Sequence, residues 1–183
     1  KAGSVSNEIM SGMDWFPTFL AAAGNADVKT NLLKGITVNG RSYKNHLDGY
    51  NFLPYLTGKE ETGPRQELFY FSDDGELMAL RYNDWKVIFM QQTSPGTMDT
   101  WSKPMVTTRI PLLVNLRRDP YEFASITSNT YWDWYLDHVF LLLPATNYVG
   151  QFIATFKDYP PRMKAASFNL GDTMEALQQP TSN

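Results

Sequence analysis

The sequence predicts an α+β fold: a small antiparallel sheet of about four strands packed against a long C-terminal helix, with a shorter helix near the N-terminus. Three stretches carry that prediction. Residues 76–90, ELMALRYNDWKVIFM, alternate as two strands do around Asn83-Asp84, whose side chains tolerate the positive φ of a two-residue turn. Residues 129–156 set Tyr131, Trp134, Tyr135, His138, Phe140 and Leu142 on one broad face at helical spacing. Residues 8–23 repeat Ile9, Met13, Phe16, Leu20 and Ala23 at the same period, and Gly24 follows where a left-handed C-cap residue belongs.

The hairpin fixes its own pairing. Tyr82 faces Trp85, Leu80 faces Val87 and Met78 faces Phe89, an apolar face that must be covered. The other face carries Leu77, Ala79, Arg81, Lys86, Ile88 and Met90. Arg81 then stands opposite Lys86, a like-charge pair that needs a carboxylate beside it, and Glu67 and Glu122 are the candidates. A two-stranded ribbon is marginal alone in water, so strands at 67–71 and 112–116 extend it and the helix over 129–156 covers it.

Around that centre, Asp14 is the expected N-cap of a helix over 15–23, with Pro17 in its tolerated first turn. Residues 25–49 show little periodicity and read as a long connector. A short helical turn over 52–56 ends at Gly58, and Asp73-Asp74-Gly75 turns the chain into the hairpin. Residues 91–110 read as a polar loop, long enough to be functional or disordered. Pro120 ends the fourth strand. Pro144 predicts a kink in the long helix or a second helix over 145–157, and Pro160-Pro161 stops it. A last short helix over 167–177 and a mobile tail after Gln179 are expected. The domain boundary implied is 1–58 against 59–183.

Composition excludes several classes. At 183 residues the chain suits one ordinary domain or a small domain with extensions. A formal charge of -3 offers no field for nucleic acid phosphates. The absence of cysteine excludes disulfides and thiolate metal sites and leaves the compartment undecided. The longest uninterrupted apolar run, 139–143, is far below the roughly 20 residues that span a bilayer, so no membrane span is expected. KAGSVSNE at the start lacks a signal peptide's apolar stretch and the chain opens without methionine, which reads as a piece of something longer.

Few residues suggest chemistry. His46 and Asp48 have the composition of a general base and its orienter, but a base needs a nucleophile or substrate within reach, and a solvated loop pair is the plainer reading. His138 lies beside Asp137 and five positions from Asp133, neither at the spacing that brings helix side chains together, so it reads as a packed or partly exposed histidine rather than a metal ligand. Asp73-Asp74-Gly75-Glu76 lacks the ligand spacing of a calcium loop and is explained as a turn. Met98 and Trp101 in the long loop are candidates for a substrate entrance or partner groove; the alternative is a lid over the domain's own core.

Six pieces in order resemble a known family: DWFPTFLAAAG at 14–24, HLDGYNFLPYLTG at 46–58, ALRYNDWKVIF at 79–89, LVNLRRDPYE at 113–122, SNTYWDWYLDH at 128–138 and YPPRMKAASFNL at 159–170. Together they are similar to the C-terminal region of bacterial arylsulfatases, in the alkaline phosphatase-like superfamily. The resemblance implies a sulfate ester hydrolase, in whose larger N-terminal domain a cysteine or serine of a C/S-x-P-x-R motif becomes formylglycine and calcium is held. This sequence departs from that pattern, with no cysteine and no Ser-x-Pro-x-Arg; neither Thr93-Ser94-Pro95-Gly96 nor 100–104 matches. No catalytic residue and no metal ligand is therefore assigned here, and calcium and formylglycine are implied for the N-terminal domain only. The partner implied is that catalytic domain of the same protein, on whose sheet the helix over 15–23 would pack. Isolated, the chain is expected to expose an apolar patch and to self-associate. A periplasmic or secreted location fits the resemblance. A noncatalytic binding module, and part of a phosphate or phosphonate ester hydrolase, are the alternatives.

Overall fold

The computed structural model describes residues 3–94 and 96–161; the helix expected over 167–177 and the tail after Gln179 lie outside them. A 3-10 turn, Gly12–Asp14, leads into α1, Trp15–Ala22, within one residue of the predicted span, and Gly24 follows with φ +95. The buried face is not the predicted one. Helix α1 buries Pro17, Thr18 and Ala21 and leaves Phe16 and Phe19 exposed, as is Met13 in the turn before it. The reason is polar: the Thr18 hydroxyl donates to the Asp14 carbonyl at 2.6 Å and accepts from the Phe52 N–H at 2.9 Å, so hydrogen bonds turn that face inward.

The stretch 25–49 is more than a connector. Helix α2, Val28–Lys34, buries Val28 and Leu32 one turn apart and ends at Gly35. Strands β1, Ile36–Val38, and β2, Arg41–Tyr43, then pair around Asn39-Gly40, both at positive φ. Asn-Gly is a strong hairpin signal, but strands of three residues are too short for alternation to show. Helix α3, Leu53–Leu56, ends before Gly58 as expected.

The main sheet has four antiparallel strands in sequential order: β3 Glu67–Phe71, β4 Leu77–Tyr82, β5 Trp85–Gln92 and β6 Met105–Asn115. Its central register is the predicted one, Tyr82 against Trp85, Arg81 against Lys86 and Leu80 against Val87, with Asn83 at φ +49 in the turn. The β4–β5 ladder ends at Ala79–Ile88, one pair short of the expected Met78–Phe89. Lys86 finds its carboxylate in Glu122, both oxygens at 2.8 Å. Glu67, the other candidate, accepts instead from the Tyr50 hydroxyl.

Residues 91–110 are not a loop throughout. Strand β5 runs to Gln92 and β6 begins at Met105, with α4, Asp99–Ser102, between them, so the pair extends as an arm beyond the sheet. Val106, Thr107, Thr108 and Ile110 are strand-forming types. They went unread because the arm is largely exposed on both faces, leaving no apolar alternation.

Helix α5, Ala124–Thr127, precedes the aromatic run, which forms α6, Tyr131–His138, a 3-10 turn at Val139–Leu141, and α7, Leu142–Ala154. Pro144 is the third residue of α7, where a missing N–H costs no intrahelical bond; the break therefore falls before it, and the second helix starts at Leu142 rather than at 145. Leu80, Val87 and Leu113 from the sheet meet Tyr131, Tyr135 and Ala145 from the helices in the core. Rings extend the contact: Phe69 on Phe152 with centroids 4.0 Å apart, and Trp85 on Trp134 at 5.9 Å. Phe140, expected on this face, is exposed. By length and composition Tyr131–Lys157 is apolar enough to cross a bilayer, a property that counting uninterrupted apolar residues does not show. In the fold its inner face lies on the sheet.

Candidate functional site

Buried charge concentrates where α1, residues 48–50 and the start of β3 meet. Asp14 is 0% and Arg65 4% exposed. Arg65 Nε donates to Asp14 Oδ2 at 2.8 Å and Nη2 to Oδ1 at 2.5 Å, a bidentate pair. The N–H groups of Ser11 and Tyr50 donate to the same carboxylate at 2.8 and 2.7 Å. Arg65 spends its other donors on the carbonyls of Glu67 and Asp48, each at 2.9 Å. Asp14 thus occupies the predicted N-cap position, but its carboxylate turns away from the first N–H groups of α1.

Electrostatics fix these charges. Burial alone would raise the Asp14 carboxyl; the Arg65 guanidinium and the two N–H donors outweigh it and hold the group below the usual carboxylate range. Burial opposes the Arg65 charge too, and Asp14 overrides it, so the guanidinium is held above its ordinary value. Burial, then the Glu67 carboxylate that accepts at 2.5 Å, push the Tyr50 hydroxyl far up. Asp14 and Arg65 are thus favoured in their charged forms and the Tyr50 hydroxyl in its protonated form, which suits a cluster that orients structure. Sequence reasoning gave Arg65 no role: Asp14 and Arg65 are 51 residues apart, with no local pattern connecting them.

Beside this junction opens a cleft of about 910 Å³, lined in part by Lys44, His46, Asp48, Phe71, Phe156 and Tyr159. It adjoins a pocket of about 180 Å³ that reaches Lys29, Tyr50 and Glu67. The structure does bring His46 and Asp48 together, Nδ1 to Oδ1 at 3.0 Å. No side chain among the described residues hydrogen-bonds the other ring nitrogen of His46 to complete a base–nucleophile arrangement. Lys29 donates to the Gly49 carbonyl at 3.3 Å over the Tyr50 ring, and burial lowers its pKa against the pull of Asp48. His138 is packed: its Nδ1 donates to the Trp134 carbonyl at 2.7 Å and the ring stacks on Trp134. Among the described residues no three His, Asp or Glu side chains are grouped to hold a metal ion.

Met98 and Trp101 sit at the tip of the arm, 78% and 80% exposed. Neither covers the domain's own core. The tip is held in shape by Gln92, whose amide donates to the carbonyls of Thr100 and Lys103 at 3.1 and 3.0 Å, and by the Lys103–Asp99 pair at 3.0 Å.

The sequence profile of the C-terminal region of aryl-sulfatase matches residues 63–178, more than half of the chain. The chain belongs to that family. Similarity extends to the crystal structure of the PsFucS1 sulfatase from Pseudoalteromonas sp., at 27% identity and TM-score 0.47, over 63% of this chain and 22% of that one. This chain thus spans about a fifth of the length of that sulfatase. Comparison with the curated proteins returns no match. Within the aryl-sulfatase C-terminal region lie Arg65, the four-stranded sheet, the arm and α5 to α7; Asp14, His46 and Asp48 precede it. Formylglycine and calcium do not fit the residues present. The sequence has neither cysteine nor Ser-x-Pro-x-Arg, and the described residues offer no ligand cluster.

Proposed function

We propose that this chain is the C-terminal subdomain of an arylsulfatase, a sulfuric ester hydrolase, that supports the catalytic domain of the same protein and is inactive alone. The match over 63–178 carries this reading. Residues 1–58 form the end of the catalytic-domain region and a connector, and 59–183 form the C-terminal sheet-and-helix subdomain. The exposed face of α1, with Phe16, Phe19 and the Trp15 ring stacked on Phe19 at 5.2 Å, is the surface that packs on the catalytic domain. Exposed apolar clusters of this kind mark such contacts. The arm supplies Met98 and Trp101 to the substrate entrance, where an indole face suits an aryl group or sugar ring.

Sulfate ester cleavage requires an activated nucleophile and concentrated positive charge. In this reading both belong to the N-terminal domain, with its formylglycine and calcium, while this chain orients and shields. Hydrolysis of an aryl sulfate with calcium present is therefore measured for this chain alone and after mixing with the separately expressed N-terminal part of its reading frame. No turnover alone and turnover in the mixture are expected. Turnover by the isolated chain, after contaminant controls, overturns the reading.

A further inference from the structure

The described chain has two groups of elements that meet at a seam. Helix α1 packs with α2 and α3, while the sheet β3 to β6 packs with α6 and α7. Polar side chains bridge the seam at several points. Arg65 reaches Asp14 and the Asp48 carbonyl, Tyr50 reaches Glu67, and the Tyr159 hydroxyl reaches the Leu33 carbonyl at 3.4 Å. The N-terminal side is laced tightly up to that point. A Cβ on Gly49 would collide with the Met13 carbonyl, and one on Gly63 would press on Glu8 and Phe52 at 3.0 to 3.1 Å. The Gly63 N–H also donates to the Glu8 carboxylate at 2.7 Å. Arg65 follows two residues later, just before β3 starts at Glu67, so it has its backbone at the entry to one group and its guanidinium inside the other.

We infer that Arg65 is a latch: a positioning residue that, through Asp14, fixes the orientation of the sheet, its helices and the arm on the N-terminal group. The inference deepens the reading above, because the N-terminal group carries the face of α1 assigned to the catalytic domain. A guanidinium is a planar fork with five donors in fixed directions. Bonded to both Asp14 oxygens on one side and to the Glu67 carbonyl on the other, it sets an angle as well as a distance. A lysine ammonium would keep the charge and lose the angle.

The absence of cysteine lets two spin labels be placed uniquely in the 183-residue chain. Labels at Thr30→Cys on α2 and Asp137→Cys on α6 report the mutual orientation by pulsed dipolar spectroscopy. Hydrogen exchange at the Val87 and Leu113 amides reports whether the sheet stays folded. The expectation for Arg65→Lys is a distance distribution at least twice as wide, with both amides within twofold of their wild-type rates. Asp14→Asn, a milder lesion on the other partner, should broaden it in the same sense. An unchanged width in both variants overturns the latch. So does a loss of protection in the sheet alongside the broadening, since Arg65 would then only stabilise the core. Neither readout involves catalysis, so the outcome is separate from that of the sulfatase assay.

Discussion

One hydroxyl serves both backbone groups of Leu113: that of Tyr131 accepts from the Leu113 N–H at 3.1 Å and donates to its carbonyl at 2.9 Å. Strand β6 is an edge of the sheet, and edge groups left bare invite pairing with other chains. Tyr135 treats the Pro111 carbonyl likewise at 2.9 Å. Tyr131→Phe leaves the buried Leu113 N–H unpartnered and is expected to cost about 1 to 3 kcal/mol, read as a lower urea midpoint at unchanged slope. Asp14 yields a second expectation at this scale. Its folded pKa lies below the ordinary value of 3.8, so its contribution is fully present above the unfolded pKa and is lost as pH falls through the folded one. Stability should stay level in pH from Asp14 near neutrality and decline below about pH 4. Denaturant midpoints across the acid range should show that decline weakened in Asp14→Asn, and an identical acid limb would remove Asp14 from the explanation.

At the scale of elements, the sheet is joined to α7 by rings. Phe69 and Phe152 stack with an interplanar angle of 14°, and a double-mutant cycle with Phe69→Ala and Phe152→Ala should give a coupling of about 0.5 to 1.5 kcal/mol. Additive effects would show that the two rings are buried side by side without interacting. The same scale explains what could be read in advance. The register of β4 on β5 was legible because alternation, turn chemistry and burial agree there. The ends of α1 were legible from Pro17 and Gly24, but its face was not, because Thr18 and Asp14 turn inward to hydrogen-bond Phe52, Tyr50 and Arg65. The arm reads as a loop in the sequence because apolar periodicity reports burial, and the arm is little buried. At the candidate site, His46 and Asp48 were visible as near neighbours in sequence, whereas the pairing of Asp14 with Arg65 exists only once β3 is laid beside α1.

For the whole molecule, the question is which exposed apolar surface governs association. Two candidates among the described residues are the face of α1 with Phe16 and Phe19 and the outer side of α6 and α7 with Trp132, Leu136 and Leu143. Both face solvent in the isolated chain, and patches of this kind drive association. If α1 is the surface the catalytic domain covers, it is the stickier in isolation, because three aromatic rings at Trp15, Phe16 and Phe19 crowd one short helix. Phe16→Lys with Phe19→Lys should then weaken self-association at least tenfold by sedimentation velocity. Stability should move by only about 0.5 kcal/mol, as both side chains are already exposed. Leu136→Lys with Leu143→Lys should change association far less. The reverse ranking would transfer the interface to α6 and α7, and would separate where the chain associates with itself from where it is held by a catalytic domain.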